Sequence, residues 1–295
     1  MSISIGNISI YMGPREAGAG DSLLEPIVEF IDRARRRQRL LIAVQEVDNL
    51  QIAEAIIRAR RRGASVQLVL EQDYLRARRI PENPFEPGGT HEENRALFSA
   101  ILRSTVDVKS DFNSKIFHQK FMVRGHSVLT GSTNFTTTGI SRNLNHVVVV
   151  EDAEIANAYR REFAEIRQGH FGKASVDREQ KPRQTYVSGV RCKPLFAPDH
   201  SPEMEIMKQI LKAKRRIDFA VFTFSQSSGI DDALIAAHQR GVKVRGILDR
   251  RQSNQRWAAK HTLRSAGVEL ALAAPKAGKL HHKLMTIDDN LAIFG

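Results

Sequence analysis

The sequence predicts an α/β protein in which one plan is used twice, each half a sandwich of helices on a largely parallel sheet. Two observations carry this. Helical and extended periodicities alternate in the same order in both halves. The segment ARRRGASVQLVLEQD at 59–73 also aligns without a gap with AHQRGVKVRGILDR at 237–250, and Leu102-Arg103-Ser104 matches Leu263-Arg264-Ser265. Self-similarity of this kind fixes the architecture before any single residue is interpreted.

In the first half, Leu24, Ile27, Val28 and Ile31 form one apolar stripe and predict a helix over 23–37. The apolar run 40–44 predicts a strand. Ile52, Ala55, Ile56 and Ala59 share one face of a helix over 51–62, which Gly63 stops, and a strand covers 65–70. In the second half the order returns. A helix over 202–213 turns Met204, Met207, Ile210 and Leu211 inward, and a strand covers 217–222. A helix over 230–240 is stopped by Gly241, and a strand covers 242–248. Residues 80–94, IPENPFEPGGTHEEN, interrupt the first copy alone, and their Pro, Gly and Glu content predicts an exposed loop. The polar, basic stretch 168–190 predicts a linker that includes a strand near Tyr186. The halves are therefore expected at 1–180 and 181–295.

The 295 residues are 41% hydrophobic and 26% charged, an ordinary globular balance in a chain long enough to bury a core without staples. The lone Cys192 excludes an internal disulfide and a cysteine-rich zinc site, and it fits a reducing compartment. There is no run of about 18 apolar residues to predict a transmembrane helix. The opening MSISIGNISIYMGPREAG lacks the basic leader and long apolar stretch of a secretory signal, so a cytoplasmic location is expected. Forty-five Lys+Arg against 33 Asp+Glu give a net charge of +12. Such an excess favours polyanionic partners, nucleic acid or an anionic phospholipid surface, without choosing between them. The arginine clusters 35–37 and 60–62 fall at helix C-terminal ends, where the dipole favours positive charge, and are expected to form a solvated face. The oligomeric state is left open.

Each half contains a His-x-Lys that opens an apolar run. His118-Gln119-Lys120 precedes Phe121-Met122-Val123, and His281-His282-Lys283 precedes Leu284-Met285-Thr286-Ile287. In a strand, residues i and i+2 share a side. His118 with Lys120, and His281 with Lys283, are therefore expected to face one pocket, while Gln119 and His282 point away and His282 is structural. One His-x-Lys arises readily by chance; two at equivalent places in a repeat carry weight. The first is followed by Gly131-Ser132-Thr133-Asn134. That glycine permits close backbone approach, and Ser132 and Asn134 are spaced to donate hydrogen bonds to one phosphate. The remaining histidines show no metal-ligand spacing.

The pattern HxKxxxxD followed by GSxN resembles the signature of the phospholipase D superfamily, which includes phospholipases, phosphatidyltransferases, nucleases and tyrosyl-DNA phosphodiesterases. His281, Lys283 and Asp288 match the first motif in full, and the resemblance spans both halves. It implies two α/β/α sandwich halves of the phospholipase D type about a pseudo-two-fold axis, with one site at their junction. One imidazole would form a phosphohistidine, with His118 the nucleophile by family precedent. The other would protonate the leaving oxygen and then activate water. Lys120 and Lys283, with Ser132 and Asn134, would stabilise charge on the phosphoryl oxygens, and neither a metal nor another cofactor is required.

The chain departs from the pattern in three places. Lys120 is followed by FMVRGHSVLTGS, so the first copy has no aspartate to match Asp288; that aspartate is expected to be mainly structural. Asn145 stands where the family often has a glutamate that orients a histidine, and an amide orients an imidazole without stabilising its cation. The sequence stops at Phe294-Gly295, where a second GSxN would begin, so a longer natural protein is expected.

The resulting expectation is a phosphodiesterase, nuclease-like, acting on nucleic acid. The alternative is a phospholipase D or a phosphatidyltransferase of the cardiolipin synthase kind; a silent nucleic-acid-binding module is a third reading. A lipid enzyme needs an apolar loop or groove, and no exposed apolar loop stands out in the sequence. Gln252, Asn254, Gln255, Arg256 and Trp257 fit a substrate groove or an amphipathic surface helix equally well.

Overall fold

A computed structural model describes residues 2–111, 115–170, 182–274 and 278–295. Of the predicted linker over 168–190, residues 171–181 lie outside the described residues, and a strand over Thr185–Val187 stands where one was expected near Tyr186. The first half runs β1 (Ile3–Ile5), β2 (Ile8–Gly13), α1 (Leu24–Asp32), β3 (Arg39–Val44), α2 (Leu50–Arg61), β4 (Ser65–Leu70), α3 (Glu92–Arg103) and β5 (Asp107–Ser110). It continues with β6 (Lys120–Arg124), β7 (Ser127–Gly131), α4 (Thr137–Ser141), β8 (Asn145–Glu151) and α5 (Ala153–Arg167). A hairpin of β9 (Thr185–Val187) and β10 (Val190–Cys192) packs Val187 and Cys192 against the first half, and the second half then runs α6 (Pro202–Lys212), β11 (Arg216–Val221), α7 (Ile230–Gln239) and β12 (Lys243–Leu248). It closes with α8 (Lys260–Ser265), β13 (Glu269–Leu272), β14 (Lys283–Ile287) and β15 (Leu291–Phe294).

The repeat is visible in the sheets. The eight-stranded sheet has the order β1-β2-β8-β7-β6-β3-β4-β5, and the five-stranded sheet has β13-β12-β11-β14-β15. Read from β7 to β5 and from β15 to β13, the two orders coincide. Both sheets are mixed, but "largely parallel" overstates it. β3-β4-β5 and β11-β12-β13 are parallel. The lysine-bearing strands β6 and β14 are antiparallel to both neighbours. Each runs into a tight turn, at 125–126 or 288–290, that folds the next strand back beside it.

Local chemistry sets the helices. Asn49 Oδ1 accepts from Ile52 N at 3.1 Å to start α2, and Asp152 Oδ1 accepts from Ile155 N at 2.9 Å to start α5. The apolar face of α2 (Ile52, Ala55, Ile56 and Ala59) is fully buried with Ile27 and Ile31 of α1 and Leu68 of β4. On the other face of this sheet, Ile155 and Phe163 of α5 pack with Phe121 and Val148. The first half is thus α/β/α. In the second, Ile210, Leu234 and Leu263 of α6, α7 and α8 cover one face. Among the described residues no helix covers the other, which carries ion pairs from Asp218 to Arg216 and Arg245 at 3.1 and 2.7 Å. The described residues of the second half thus form a helical layer on a sheet.

Four boundaries and faces differ from expectation. α1 ends at Asp32 rather than Arg37, whose φ of 62° turns the chain into β3. Arg35, Arg36 and Arg37 are exposed as expected, but in the second cluster Arg62 binds Asp32 at 3.0 Å and Arg60 Nε donates to Thr105 O at 3.1 Å. α6 buries Ile210 with Ile206 and Met207, leaving Met204 and Leu211 half exposed. The loop stops at His91 because Glu92 and Glu93 open α3, where the helix dipole favours acids and Glu92 accepts from Gly88 N at 2.9 Å.

Asp288 accepts hydrogen bonds from the backbone N–H groups of Lys214, Arg215 and Arg216 at 2.8, 2.8 and 3.0 Å, pinning the α6–β11 connection to the β14–β15 turn. In the first half Gly125 occupies that turn and Gln38 fills the space: a Cβ on Gly125 would lie 2.8 Å from Gln38 Nε2. Gln38 Oε1 accepts from Arg35 N at 3.0 Å, so the bracing comes from the opposite strand's lead-in. The halves join where Leu144 N donates to Lys279 O at 2.9 Å and His281 N donates to Leu144 O at 2.8 Å. Beside this bridge a Cβ on Gly278 would stand 1.8 Å from Arg142 O, so only glycine fits.

Candidate active site

The junction carries the two His-x-Lys pairs to one place. Each lysine opens its strand and folds back on its own triplet: Lys120 Nζ donates to His118 O at 3.0 Å, and Lys283 Nζ donates to His281 O at 2.8 Å. Each ammonium group therefore sits against the backbone of its own triplet. The groups feel one another across the junction. The charge on Lys283 bears on both His118 and Lys120, and Lys120 bears on His281. Burial lowers both lysines to about 7, with Lys283 pressing further on Lys120. Two ammonium groups desolvated side by side favour a bound anion.

The two histidines differ in their surroundings. His281 is 7% exposed, and its Nδ1 lies 3.0 Å from Ser132 O and 2.9 Å from Asn145 Oδ1. Asn145 cannot be turned round. Its Nδ2 donates to Gly139 O at 2.9 Å and to Asn143 O at 3.3 Å, while its Oδ1 also accepts the Ser132 hydroxyl at 2.8 Å. Two acceptors at Nδ1 place the proton there and leave the Nε2 lone pair free. Burial and then the charges of Lys283 and Lys120 take the imidazole down to about 2, so it is neutral. His118 is exposed, and its imidazole is held below its ordinary value by lost hydration, Lys120 and Lys283.

Asn145 thus orients the histidine of the other half, not the one of its own repeat. Ser132 is fully buried and gives its proton to Asn145, so it braces this orientation. The GSxN glycine allows the approach: a Cβ on Gly131, whose φ is 143°, would lie 2.4 Å from His146 O. Asn134 Nδ2 donates to Glu46 Oε1 at 3.3 Å, and its Oδ1 is buried with no partner among the described residues.

Four residues enter that sequence reasoning missed. Glu46, just past β3, is raised to about 7 by burial and by Asp48, against the pull of Lys120, a hydrogen bond to Asn94 and Lys279. Its only signal was a carboxylate at the C-terminal end of a strand of the repeat. Phe222, at the matching end of β11, packs its ring 4.8 Å from His281, with Lys283 Nζ 5.3 Å and Lys279 Nζ 5.9 Å over its face. His146 meets His282, Nδ1 to Nδ1 at 3.1 Å with ring planes 9° apart, and its Nδ1 lies 3.3 Å from the Ser132 hydroxyl. His282 therefore pairs with His146 across the junction. Burial and Lys283 hold it at about 4; burial, His282 and Lys283 hold His146 at about 3. Both are neutral, one donating to the other. Lys279, from the junction, completes the set, and nothing in its local sequence marked it.

An exposed apolar loop, not evident in the sequence, is present beside this site: Ile80 is 89% and Phe85 98% exposed. Of the residues after Asp249, Gln252–Asn254 form a single turn and Trp257 is 43% exposed. Among the described residues no helix is long and apolar enough to cross a membrane.

The family model described as "Cardiolipin synthase, PLD-like domain" matches residues 27–167 and 206–295. Mitochondrial cardiolipin hydrolase of Xenopus tropicalis is 28% identical over 158 residues, covering 53% of this chain and 66% of that protein. Phospholipase D of Rickettsia felis is 29% identical over 134 residues, covering 45% and 58%. The chain spans between about half and two thirds of the length of the curated relatives it matches. Among solved structures, phosphatidylserine synthase of Haemophilus influenzae superposes with a TM-score of 0.63 at 14% identity, covering 98% of this chain and 78% of that one, which shows the shared fold.

Proposed function

Because the chain belongs to the phospholipase D superfamily, in the family of cardiolipin synthase PLD-like domains, we propose that it is a phosphodiesterase that works through a phosphohistidine on phospholipid headgroups. The observation that carries the chemistry is the pair of desolvated lysines, Lys120 and Lys283, beside a neutral histidine with a free Nε2. An anionic phosphodiester relieves their repulsion, and its oxygens would take the ammonium hydrogens. His281 Nε2 attacks phosphorus, the bond from phosphorus to the leaving oxygen breaks, and His118 supplies the proton that oxygen needs. The charge of the bound phosphate raises His118 toward the protonated form this step requires. His118 then takes a proton from water, whose oxygen attacks phosphorus and releases His281. This reverses the family-precedent order, because Asn145 and Ser132 prepare His281 and not His118 as the neutral nucleophile.

The lipid reading rests on the exposed Ile80 and Phe85 and replaces nucleic acid as the first expectation. Nucleic acid stays as the second reading because the net charge is +12. The test incubates the chain, in EDTA, with bis(p-nitrophenyl) phosphate, cardiolipin vesicles, DNA and RNA, and traps the intermediate in acid-sensitive form. Soluble diester and cardiolipin turnover, with label retained in His118→Ala and lost in His281→Ala, is expected. Nucleic-acid cleavage without lipid cleavage selects the second reading, and label lost in His118→Ala alone reverses the histidine roles.

A further inference from the structure

We infer that the loop over 75–91 is a membrane-docking element that seats the site on an anionic phospholipid surface; this rests on the lipid reading above. The loop is unique to the first copy of the repeat, so the α/β frame does not need it. It is also well braced. Arg78 N donates to Thr90 Oγ1 at 2.9 Å, Phe85 N to Asn83 Oδ1 at 3.0 Å, and Arg95 Nη2 to Gly88 O at 2.6 Å. Pro81, Pro84 and Pro87 each fix a backbone angle. A loop ordered to this degree has the means to tuck a phenylalanine against the body, yet it holds Ile80 and Phe85 almost wholly in water. Two large apolar side chains on one stiff projection are the pattern of a surface that is covered in use.

The position of the loop says what covers it. Its two roots stand on the wall of the site. Tyr74 and His91 meet edge to face at 4.9 Å, Tyr74 Oη accepts from Gln45 Nε2 at 2.8 Å, and Asn94 bonds Glu46, which holds Asn134. A third exposed apolar side chain, Ile116 at 61%, precedes His118 by two residues. Its segment is tied to the same root, since Glu71 accepts from both Phe117 N and Asp73 N. Along the chain Arg76, Arg78 and Arg79 lead into Ile80, and Glu82 and Glu86 lie among the prolines. Arg76 is paired with Asp73 at 2.8 Å, and Arg78 and Arg79 are matched in number by Glu82 and Glu86, so the pull toward anionic headgroups comes from the +12 of the whole chain. Exposed apolar side chains on a chain of this net charge match an interface of acyl chains beneath anionic headgroups. With the loop inserted, a headgroup phosphate would be presented beside His118, the exposed histidine.

The experiment compares the chain with Ile80→Asn/Phe85→Ser in co-sedimentation with phosphatidylcholine vesicles, with and without cardiolipin. Both positions are exposed and outside the catalytic set, so turnover of soluble bis(p-nitrophenyl) phosphate should be unchanged. Binding of the parent chain to the cardiolipin vesicles is expected, with a loss of roughly tenfold or more in the double variant and a matching loss of cardiolipin turnover. A Phe85→Trp variant should show blue-shifted emission on those vesicles. Equal vesicle binding by parent and double variant, or no binding by either, overturns the inference. So does a dimer that the double variant abolishes, which would make the loop a protein contact. Failure of soluble diester turnover would instead sink the proposed chemistry and leave the vesicle result to judge the loop alone.

Discussion

Asn145 Oδ1 and His281 Nδ1 stand 2.9 Å apart across the boundary of the two halves, and the same oxygen takes the proton of Ser132 at 2.8 Å. The amide end of Asn145 lies between two carbonyls, Gly139 O at 2.9 Å and Asn143 O at 3.3 Å. This explains why an asparagine fills the place where a carboxylate would bond imidazole more strongly. A second oxygen at Nδ2 would confront both carbonyls inside the protein.

Asn145→Asp is therefore expected to lower the melting temperature, because burying unsatisfied polar groups costs about 1–3 kcal/mol each. Asn145→Ala should fold but lose the fixed tautomer, with kcat on a soluble diester falling roughly 10²- to 10⁴-fold. Thermal melts and steady-state kinetics check both. An Asn145→Asp protein as stable as the parent would remove the reason offered for the amide.

The lysines give the site a pH signature. Lys120 and Lys283 sit near 7 in the empty site, and a bound anion raises them, so binding inorganic phosphate should take up protons at pH 8 and few at pH 6. Calorimetry in buffers of different ionisation enthalpy measures this. Glu46 holds Lys120 up, so Glu46→Gln should move the alkaline limb of kcat/KM to lower pH. Stability has the opposite sign. A lysine whose folded value lies below its unfolded value of about 10.4 destabilises the fold below 7, and the penalty fades as pH rises toward that unfolded value. Lys120→Met should melt higher than the parent at pH 7, with the gap closing by about pH 10; an equal gap at both would refute the assignment.

Asp288 offers a test of the frame rather than the site. Its carboxylate is held below the usual range by three backbone N–H groups, at Lys214, Arg215 and Arg216. A depressed carboxylate stabilises the fold above its unfolded value of about 3.9 and loses that contribution as pH falls through the folded one. Asp288→Ala should melt lower than the parent at pH 7, and the two curves should converge in acid. Denaturation followed across that range decides it, and curves that stay apart in acid would point to packing instead of charge.

What the sequence determined by itself was whatever depends on near neighbours along the chain. The buried face of α2 follows from Ile52, Ala55, Ile56 and Ala59 at helical spacing, and the matching places of Lys120 and Lys283 at the openings of β6 and β14 follow from the repeat. The repeat told that the plan occurs twice. The tertiary structure alone decided which half serves which histidine, because Asn145 reaches His281 only through the Leu144–Leu280 bridge. It also paired His146 with His282, brought Glu46 to Asn134 and left Phe85 in water. Those outcomes are set by partners far along the chain, and a side chain's hydration, proton and tautomer depend on who those partners are, which no local pattern encodes.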